Sequence, residues 1–146
     1  MDNKIVIGSL EECSLPDLNI YNIEVRIDTG AKTSSLHVDN VVKKILNGKP
    51  WITFDIHPNA YDVSSVISCK APLHDLRRIK SSNGQIEERF VIKTSFRIGS
   101  NEWEIEVTLS DRSDMNYLML LGRQGMGQHV LVDPSQTFLV SSGDKN

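Results

Sequence analysis

The run Ile20-Tyr21-Asn22-Ile23-Glu24-Val25-Arg26-Ile27-Asp28-Thr29-Gly30-Ala31 sets Ile23, Val25 and Ile27 against Asn22, Glu24 and Arg26, then stops at a turn-forming tripeptide. Period-two alternation with β-branched residues marks a half-buried strand, and an Asp-Thr-Gly turn closes it. The same pattern recurs outward in both directions. Lys4–Ile7 is a short apolar run stopped by Gly8, and Trp51–His57 alternates up to Pro58. Asp62–Ser68 reads as a weaker strand. Phe90, Ile92, Thr94, Phe96 and Ile98 share one face; after Gly99-Ser100-Asn101, so do Trp103, Ile105, Val107 and Leu109. Two alternating runs around a Gly turn predict a hairpin. Its polar faces, Arg89, Lys93 and Arg97 against Glu102, Glu104 and Glu106, are set to pair across it. Asn83-Gly84 predicts a two-residue turn between Leu76–Lys80 and Gln85–Ile92. Tyr117–Leu121 is a continuous apolar run, as in a doubly buried strand, and His129–Asp133 and Thr137–Val140 are two further short strands. The one helix expected is short, Arg123–Gln128, weakened by Gly125 and Gly127. Many short strands and turns predict an all-β barrel or sandwich.

The chain has 146 residues, which predicts one domain over residues 1–146. Sixteen Lys and Arg against nineteen Asp and Glu give a net charge of −3, so nucleic acid is not an expected partner. No apolar run approaches a membrane span. The N-terminus has neither the basic start nor the long apolar stretch of a signal peptide. Two cysteines, Cys13 and Cys69, make no disulfide framework, so a reduced, cytoplasmic setting is expected.

Chemistry concentrates at Asp28. A carboxylate at a strand end, followed by a small hydroxyl residue and a Gly, suits a turn whose backbone N–H groups reach that carboxylate. The competing reading is an Asx turn with Asp28 as a purely local acceptor. Leu118-Met119-Leu120-Leu121-Gly122-Arg123 shifts the balance. A hydrophobic-hydrophobic-Gly strand passes beside and supports the Asp turn in aspartic proteases, and Arg follows it in the retroviral type. The chain thus resembles the retropepsin-like fold, which implies a closed β-barrel with one short helix. One of the intervening hairpins is then the expected flap.

The resemblance extends over nearly the whole chain. Gly8, Leu15-Pro16, Arg26-Ile27-Asp28-Thr29-Gly30-Ala31-Lys32-Thr33-Ser34-Ser35-Leu36-His37, Trp51, Phe54, Cys69, Lys80–Gly84, Arg89, Trp103–Glu106, Thr108-Leu109, Arg112, Met115, Leu120–Arg123 and Val132-Asp133-Pro134 are similar to a bacterial and archaeal family. That family carries the label "ATP-dependent zinc protease", is also described as retropepsin-like, and is often found beside ATP-grasp ligases of the glutamate-adding type. The residues do not support the label. His37, His57, His74 and His129 are widely spaced, with no His-Glu-x-x-His and no phosphate loop. Cys69 and His74 alone are close enough in sequence to suggest ligands. Neither metal nor cofactor is expected.

What the resemblance implies is an aspartic endopeptidase. One Asp28 is half of a dyad, so two copies of the chain are expected to pair their Asp28 carboxylates. Thr29 and Gly30 would brace the turn, Ala31 would line the pocket, Leu120, Leu121 and Gly122 would support it, and Arg123 would be structural, pairing a carboxylate near the dimer interface. Arg26 and Lys32 are pocket candidates. Either cation, if it reached Asp28, would lower its pKa. Lys32 stands where retropepsins commonly have an acidic residue, which suggests acidic substrates such as glutamate-bearing tails. The alternative is a catalytically inactive module that binds peptide and partners an ATP-grasp ligase. Ser34-Ser35 with His37 cannot supply nucleophile, base and orienting acid together, and Cys69 with His74 lacks a positioned base. Trp51 and Trp103 read as core or sheet-face residues. Asp39–Lys80 exceeds a minimal retropepsin protomer and is the segment expected to cap the cleft or the dimer face.

Overall fold

Twelve strands, one turn of 3-10 helix and one turn of α-helix make up the computed structural model, which describes residues 3–58, 65–80, 83–111 and 117–140. In chain order come β1 (Ile5–Ile7), β2 (Leu10–Leu15), a 3-10 turn (Pro16–Leu18), β3 (Ile20–Ile27) and β4 (Ser34–His37). Next are β5 (Asp39–Leu46), β6 (Lys49–Ile56), β7 (Ile67–Pro72), β8 (Asp75–Lys80), β9 (Ile86–Ile98) and β10 (Asn101–Ser110). The chain ends with β11 (Met119–Leu121), α1 (Arg123–Met126) and β12 (Val130–Val132). Among the described residues, no helix is long and apolar enough to cross a membrane.

Six strands close on themselves in the order β10-β4-β11-β3-β2-β9, with β9 returning to β10. The all-β closed barrel expected from the sequence is therefore present, and its single α-helix is one turn long. Alternation explains which side faces in. Ile23, Val25 and Ile27 of β3 are buried while Glu24 and Arg26 are exposed, and β9 and β10 repeat the arrangement with Ile92, Phe96, Ile98, Ile105 and Val107. Closure hides the edges that an open sheet leaves available for pairing. The β2–β9 seam is narrow, a single register pair of Ser14 with Arg97.

The β9–β10 hairpin is as predicted: Ile98 pairs with Asn101, leaving Gly99 and Ser100 as the turn. Gly99 takes φ +59, as the first central position of a II′-type turn requires. Its charges pair only in part. Arg97 meets Glu102 at 3.0 Å and Lys93 meets Glu104 at 4.0 Å. Glu106 is instead held by Arg77 at 3.1 Å and His74 at 3.2 Å, because β8 lies against the far half of β9. Arg89 turns to Glu87 on its own strand at 3.4 Å.

Three local expectations are corrected. The hairpin expected around Asn83-Gly84 is present as β8–β9, but Lys80 pairs with Ile86, so its connection is longer than two residues; Ser81 and Ser82 lie outside the described residues, Gly84 has φ +87, and the Asn83 side chain accepts from Gln85 N at 3.0 Å. The weak strand expected at Asp62–Ser68 sits later, at Ile67–Pro72, where it pairs with Trp51–Ile56; residues 62–64 lie outside the described residues. Thr137–Val140 is not a strand. Phe138 has φ +53, which breaks extended backbone, and the N–H groups there go to Leu10 O (2.8 Å) and to the Glu11 carboxylate. The strands β2, β4 and β5 lacked clear alternation in the sequence and emerge only in the structure.

Part of the expected additional segment, Asp39–Pro72, forms a separate three-stranded sheet in the order β5-β6-β7. Ile52, Phe54 and Ile56 of β6 are buried with Cys69 and Ala71 of β7, joining this sheet to the main core. Burying a side chain such as Phe54 contributes about 1.5–3 kcal/mol. β1 and β12 form a two-stranded parallel pair.

Candidate active site

β3 delivers Asp28 to the end of the barrel, and the turn that follows is held almost wholly by backbone groups. Asp28 N donates to Leu121 O at 2.9 Å, continuing the parallel β3–β11 pairing. Ala31 N returns to Asp28 O at 3.2 Å, and Gly30 N donates to the Asp28 carboxylate at 3.0 Å. The Asx bond read as the alternative is therefore present, inside the larger turn. Asp28 is half-buried, while Thr29 and Gly30 are exposed.

The Leu-Leu-Gly-Arg segment crosses this turn. β11 lies between β3, to which it is parallel, and β4, to which it is antiparallel, so it threads the strands entering and leaving the Asp28 turn. At the crossing, a Cβ on Gly122 would lie 2.6 Å from the backbone carbonyl of Thr33, so only Gly permits the approach. Gly122 N donates to the buried Ser34 hydroxyl at 3.0 Å, and Thr108 Oγ1 donates to Ser34 O at 3.0 Å. Arg123 N donates to Ala31 O at 2.9 Å and Gln124 N to Lys32 O at 3.0 Å, so the first turn of α1 satisfies the exit of the loop.

Arg123 departs from expectation in detail. Its guanidinium donates to the Thr29 carbonyl at 2.9 Å, fixing the tip of the turn, and takes no carboxylate among the described residues. Arg26 lies over the Tyr117 ring, 5.4 Å from its centroid. Neither Arg26 nor the exposed Lys32 forms an ion pair with Asp28, so neither cation is seated on the carboxylate. Leu120 faces partly outward and Leu121 packs in the core.

One residue of the site escaped sequence reasoning. Glu11 is fully buried, and its carboxylate accepts from Gly8 N at 2.7 Å, Leu139 N at 2.8 Å and Val140 N at 3.4 Å. The adjoining Ser9 O accepts from Ile27 N at 2.9 Å, one residue before Asp28, so Glu11 anchors the segment that backs the turn. No period-two signal marked it, because β2 buries Glu11, Cys13, Ser14 and Leu15 alike.

Among the described residues, the competing chemistries find no assembled site. Burial pushes the Cys69 thiol up to about 11 and Cys13 higher still, so both are protonated at neutral pH and poor nucleophiles. Cys69 Sγ is directed at Leu18 O, and His74 is engaged by Glu106. Among the described residues, no three His, Cys, Asp or Glu side chains group in a way that would hold a metal, so the residues do not fit the zinc of the family label. Trp51 lies partly exposed on the three-stranded sheet, with Lys70 over its ring, and Trp103 is packed between Phe96 and His129 and donates to Gly125 O at 2.8 Å.

Residues 6–142 match the RimB-like family, described as "Retropepsin-like aspartic endopeptidase RimB". The chain belongs to this RimB-like family. Its curated relatives carry a different name. It is 44% identical over 144 residues to a "Probable alpha-L-glutamate ligase" of Shewanella pealeana, covering 98% of this chain and 31% of that one. A protein of the same name from Desulfotalea psychrophila is 44% identical over 132 residues, covering 90% of this chain and 28% of its own. The RimB-like chain thus spans about a third of the length of the curated relatives it matches. Among solved structures, it is similar to Lpg0085 of Legionella pneumophila, a DUF785 protein of unknown function, at TM-score 0.78 and 27% identity, covering 94% of this chain and 99% of that one.

Proposed function

We propose that the chain is an aspartic endopeptidase that works in the cytoplasm as a homodimer. The observation that carries this reading is the Asp28 turn, with its carboxylate bonded to Gly30 N and its backbone locked to Leu121 and crossed by Gly122. That is one half of an acid-protease site, offered on an exposed tip. A two-fold partner would bring a second Asp28 within about 3 Å, where two carboxylates cannot both ionise and one proton is shared. The ionised Asp28 accepts a proton from the water that attacks the peptide carbonyl; the protonated one donates to the carbonyl oxygen. Thr29 and Gly30 brace the paired tips, and Arg123 holds Thr29 in place. Ala31 lines the pocket, Leu120, Leu121 and Gly122 back it, and Arg26 and the uncommitted Lys32 favour acidic side chains of a substrate. The relatives are named as glutamate ligases, and we take from this that substrates carrying added glutamates, such as modified protein tails, are the class to try first.

Purified protein should cleave peptides in a mixed library at mildly acidic pH, and Asp28→Asn should not. A wild type inert from pH 3 to 8, or a strictly monomeric one, sinks this reading. The second reading is a non-catalytic module that binds peptide beside an ATP-grasp ligase. It is favoured by one observation, that relatives named as glutamate ligases contain a matching region within much longer chains. Cleavage abolished by Asp28→Asn excludes it.

A further inference from the structure

A cleft of about 900 Å³ lies over the outer face of the three-stranded sheet, and Asp28 is not among its walls. Cavities of roughly 300–1,000 Å³ are the size that binds ligands. Strand pairing shows how the floor is made. Lys44 pairs with Trp51 and Trp51 with Pro72, Thr53 pairs with Lys70, and Asp55 pairs with Ser68. Alternate residues of a strand share a face. These side chains therefore form one layer, on the opposite side from buried Ile52, Phe54 and Ile56. Beyond the far edge of β7, Asp17 and Asn19 of the 3-10 turn and Lys93 of β9 stand as a side wall. Along β3, the seven steps from Ile20 to Ile27 at about 3.3 Å each put roughly 23 Å of strand between this wall and the Asp28 turn.

Charges of both signs line the cleft, and none of them pairs with another. Among the described residues the exposed Lys44 and Lys70 take no carboxylate, and Lys93 takes only Glu104, outside the cleft, at 4.0 Å. Asp55 accepts instead from Asn40 at 2.8 Å and Ser68 at 2.9 Å, and Asp17 from Ser95 N at 3.2 Å. A carboxylate has about four acceptor positions, so each keeps room for a further donor. Trp51 lies partly exposed between two of the cations. Lys44 is its neighbour across the β5–β6 pairing, and Lys70 rests 5.8 Å from its ring centroid. An occupant therefore has to offer separate anionic groups to the lysines, apolar surface to the indole, and N–H donors to Asp17 and Asp55. A nucleic acid fails the last requirement, because its unbroken phosphates would face two carboxylates. A peptide carrying glutamates meets all three, with carboxylates for the lysines, methylenes for the ring and its own amides for the acceptors.

We propose that this cleft is a second peptide site, in which a short glutamate-bearing segment lies across the face of the three-stranded sheet, packed on Trp51 and held by Lys44, Lys70 and Lys93. The sheet stays three-stranded, because the segment is read by side chains. From Ser68 to Pro72 the floor runs about 13 Å, the length of about four extended residues. The site stands apart from the chemistry at Asp28 and does not depend on that chemistry being active.

The test uses the full chain carrying Asp28→Asn, so that no cleavage intervenes. An unlabelled, end-capped hexapeptide of alternating Glu and Ser is titrated by calorimetry and by amide and indole N–H spectra. The chain has two tryptophans, and Trp103 donates its indole N–H to Gly125 O, away from the cleft. Trp51→Phe assigns the two indole signals. Binding should shift the Trp51 indole and leave that of Trp103 in place. It should be lost when Gln replaces Glu in the peptide, and should weaken by about tenfold or more in K44E/K70E. Both lysines are exposed, so thermal melting should be unchanged; if K44E/K70E melts early, K44Q/K70Q replaces it. No binding, equal binding of the Gln peptide, unchanged binding in the double variant, or shifts confined to Asp28–Lys32 would overturn the proposal. A deoxythymidine hexamer that binds as well as the peptide would overturn it in favour of a nucleic-acid site. Wild-type cleavage is measured separately, so an inactive Asp28 leaves this result standing, and a failed titration leaves the reading of Asp28 standing.

Discussion

The barrel around Asp28 and the three-stranded sheet that follows it solve the same problem differently. Both are built from alternating strands, and both bury one face. The barrel closes, so its backbone groups are consumed internally, and the Asp28 turn inherits that rigidity through bonds to Leu121, Ala31 and Gly30. The appended sheet does not close; it joins the barrel through its buried face, Ile52, Phe54 and Ile56, and a cleft lined by all three of its strands lies over it. A closed sheet suits the fixed positioning that catalysis demands.

Substitutions separate the two regions. The largest effect belongs to Asp28→Asn, which should lower peptide cleavage by on the order of 10⁴-fold while leaving the melting temperature nearly unchanged. Retained activity would move the chemistry out of the barrel. Next is Phe54→Ala, which empties the junction between sheet and barrel and should cost about 3–5 kcal/mol in denaturant titration. If the appended sheet is instead an independent unit, two transitions will appear. Gly122→Ala forces a methyl onto the Thr33 backbone and should cost about 1–3 kcal/mol, with activity falling further than stability alone explains. A neutral result would mean that the crossing is looser than its 2.6 Å approach implies.

A smaller effect concerns pH. Hydrogen bonds from Asn40 and Ser68 hold the Asp55 carboxyl below its ordinary 3.8. A carboxyl depressed on folding contributes stability that is present above its unfolded pKa and lost as pH falls through the folded one. Thermal melts between pH 6 and 2.5 should therefore show a shallower acid decline for Asp55→Asn than for wild type, the difference appearing only below about 4. The smallest effect is at the hairpin surface, where Arg97→Ala should cost about 0.2–1 kcal/mol, the usual range for an exposed cross-strand ion pair.

Legibility followed range of interaction. The strand up to Ile27, the β9–β10 hairpin with Gly99, and the single short helix at Arg123 rest on neighbours in sequence, and all were readable. Ser34–His37 was not readable as a strand, because two buried serines carry no apolar alternation; it exists through pairing with Val107–Ser110 and Met119-Leu120, more than seventy residues away. Thr137–Val140 failed for the opposite reason. Its local pattern suited a strand, but Phe138 turned left-handed and Glu11 took the amides. Of the site, Asp28, Thr29, Gly30 and Gly122 were legible by motif, while the partner of Arg123 was not, since a guanidinium's choice between carboxylate and carbonyl is settled only by what lies within reach.

By itself the sequence determined the period-two strands, the Asp28-Thr29-Gly30 turn and the Leu121-Gly122-Arg123 segment, because each depends on residues a few positions apart. Tertiary structure alone decided that Gly122 crosses Thr33, that Glu11 is a buried acceptor, and that β5, β6 and β7 form a sheet of their own whose buried face joins the barrel core. Those are contacts between distant segments, fixed by barrel closure and by how the third sheet packs against it, and no local pattern encodes them.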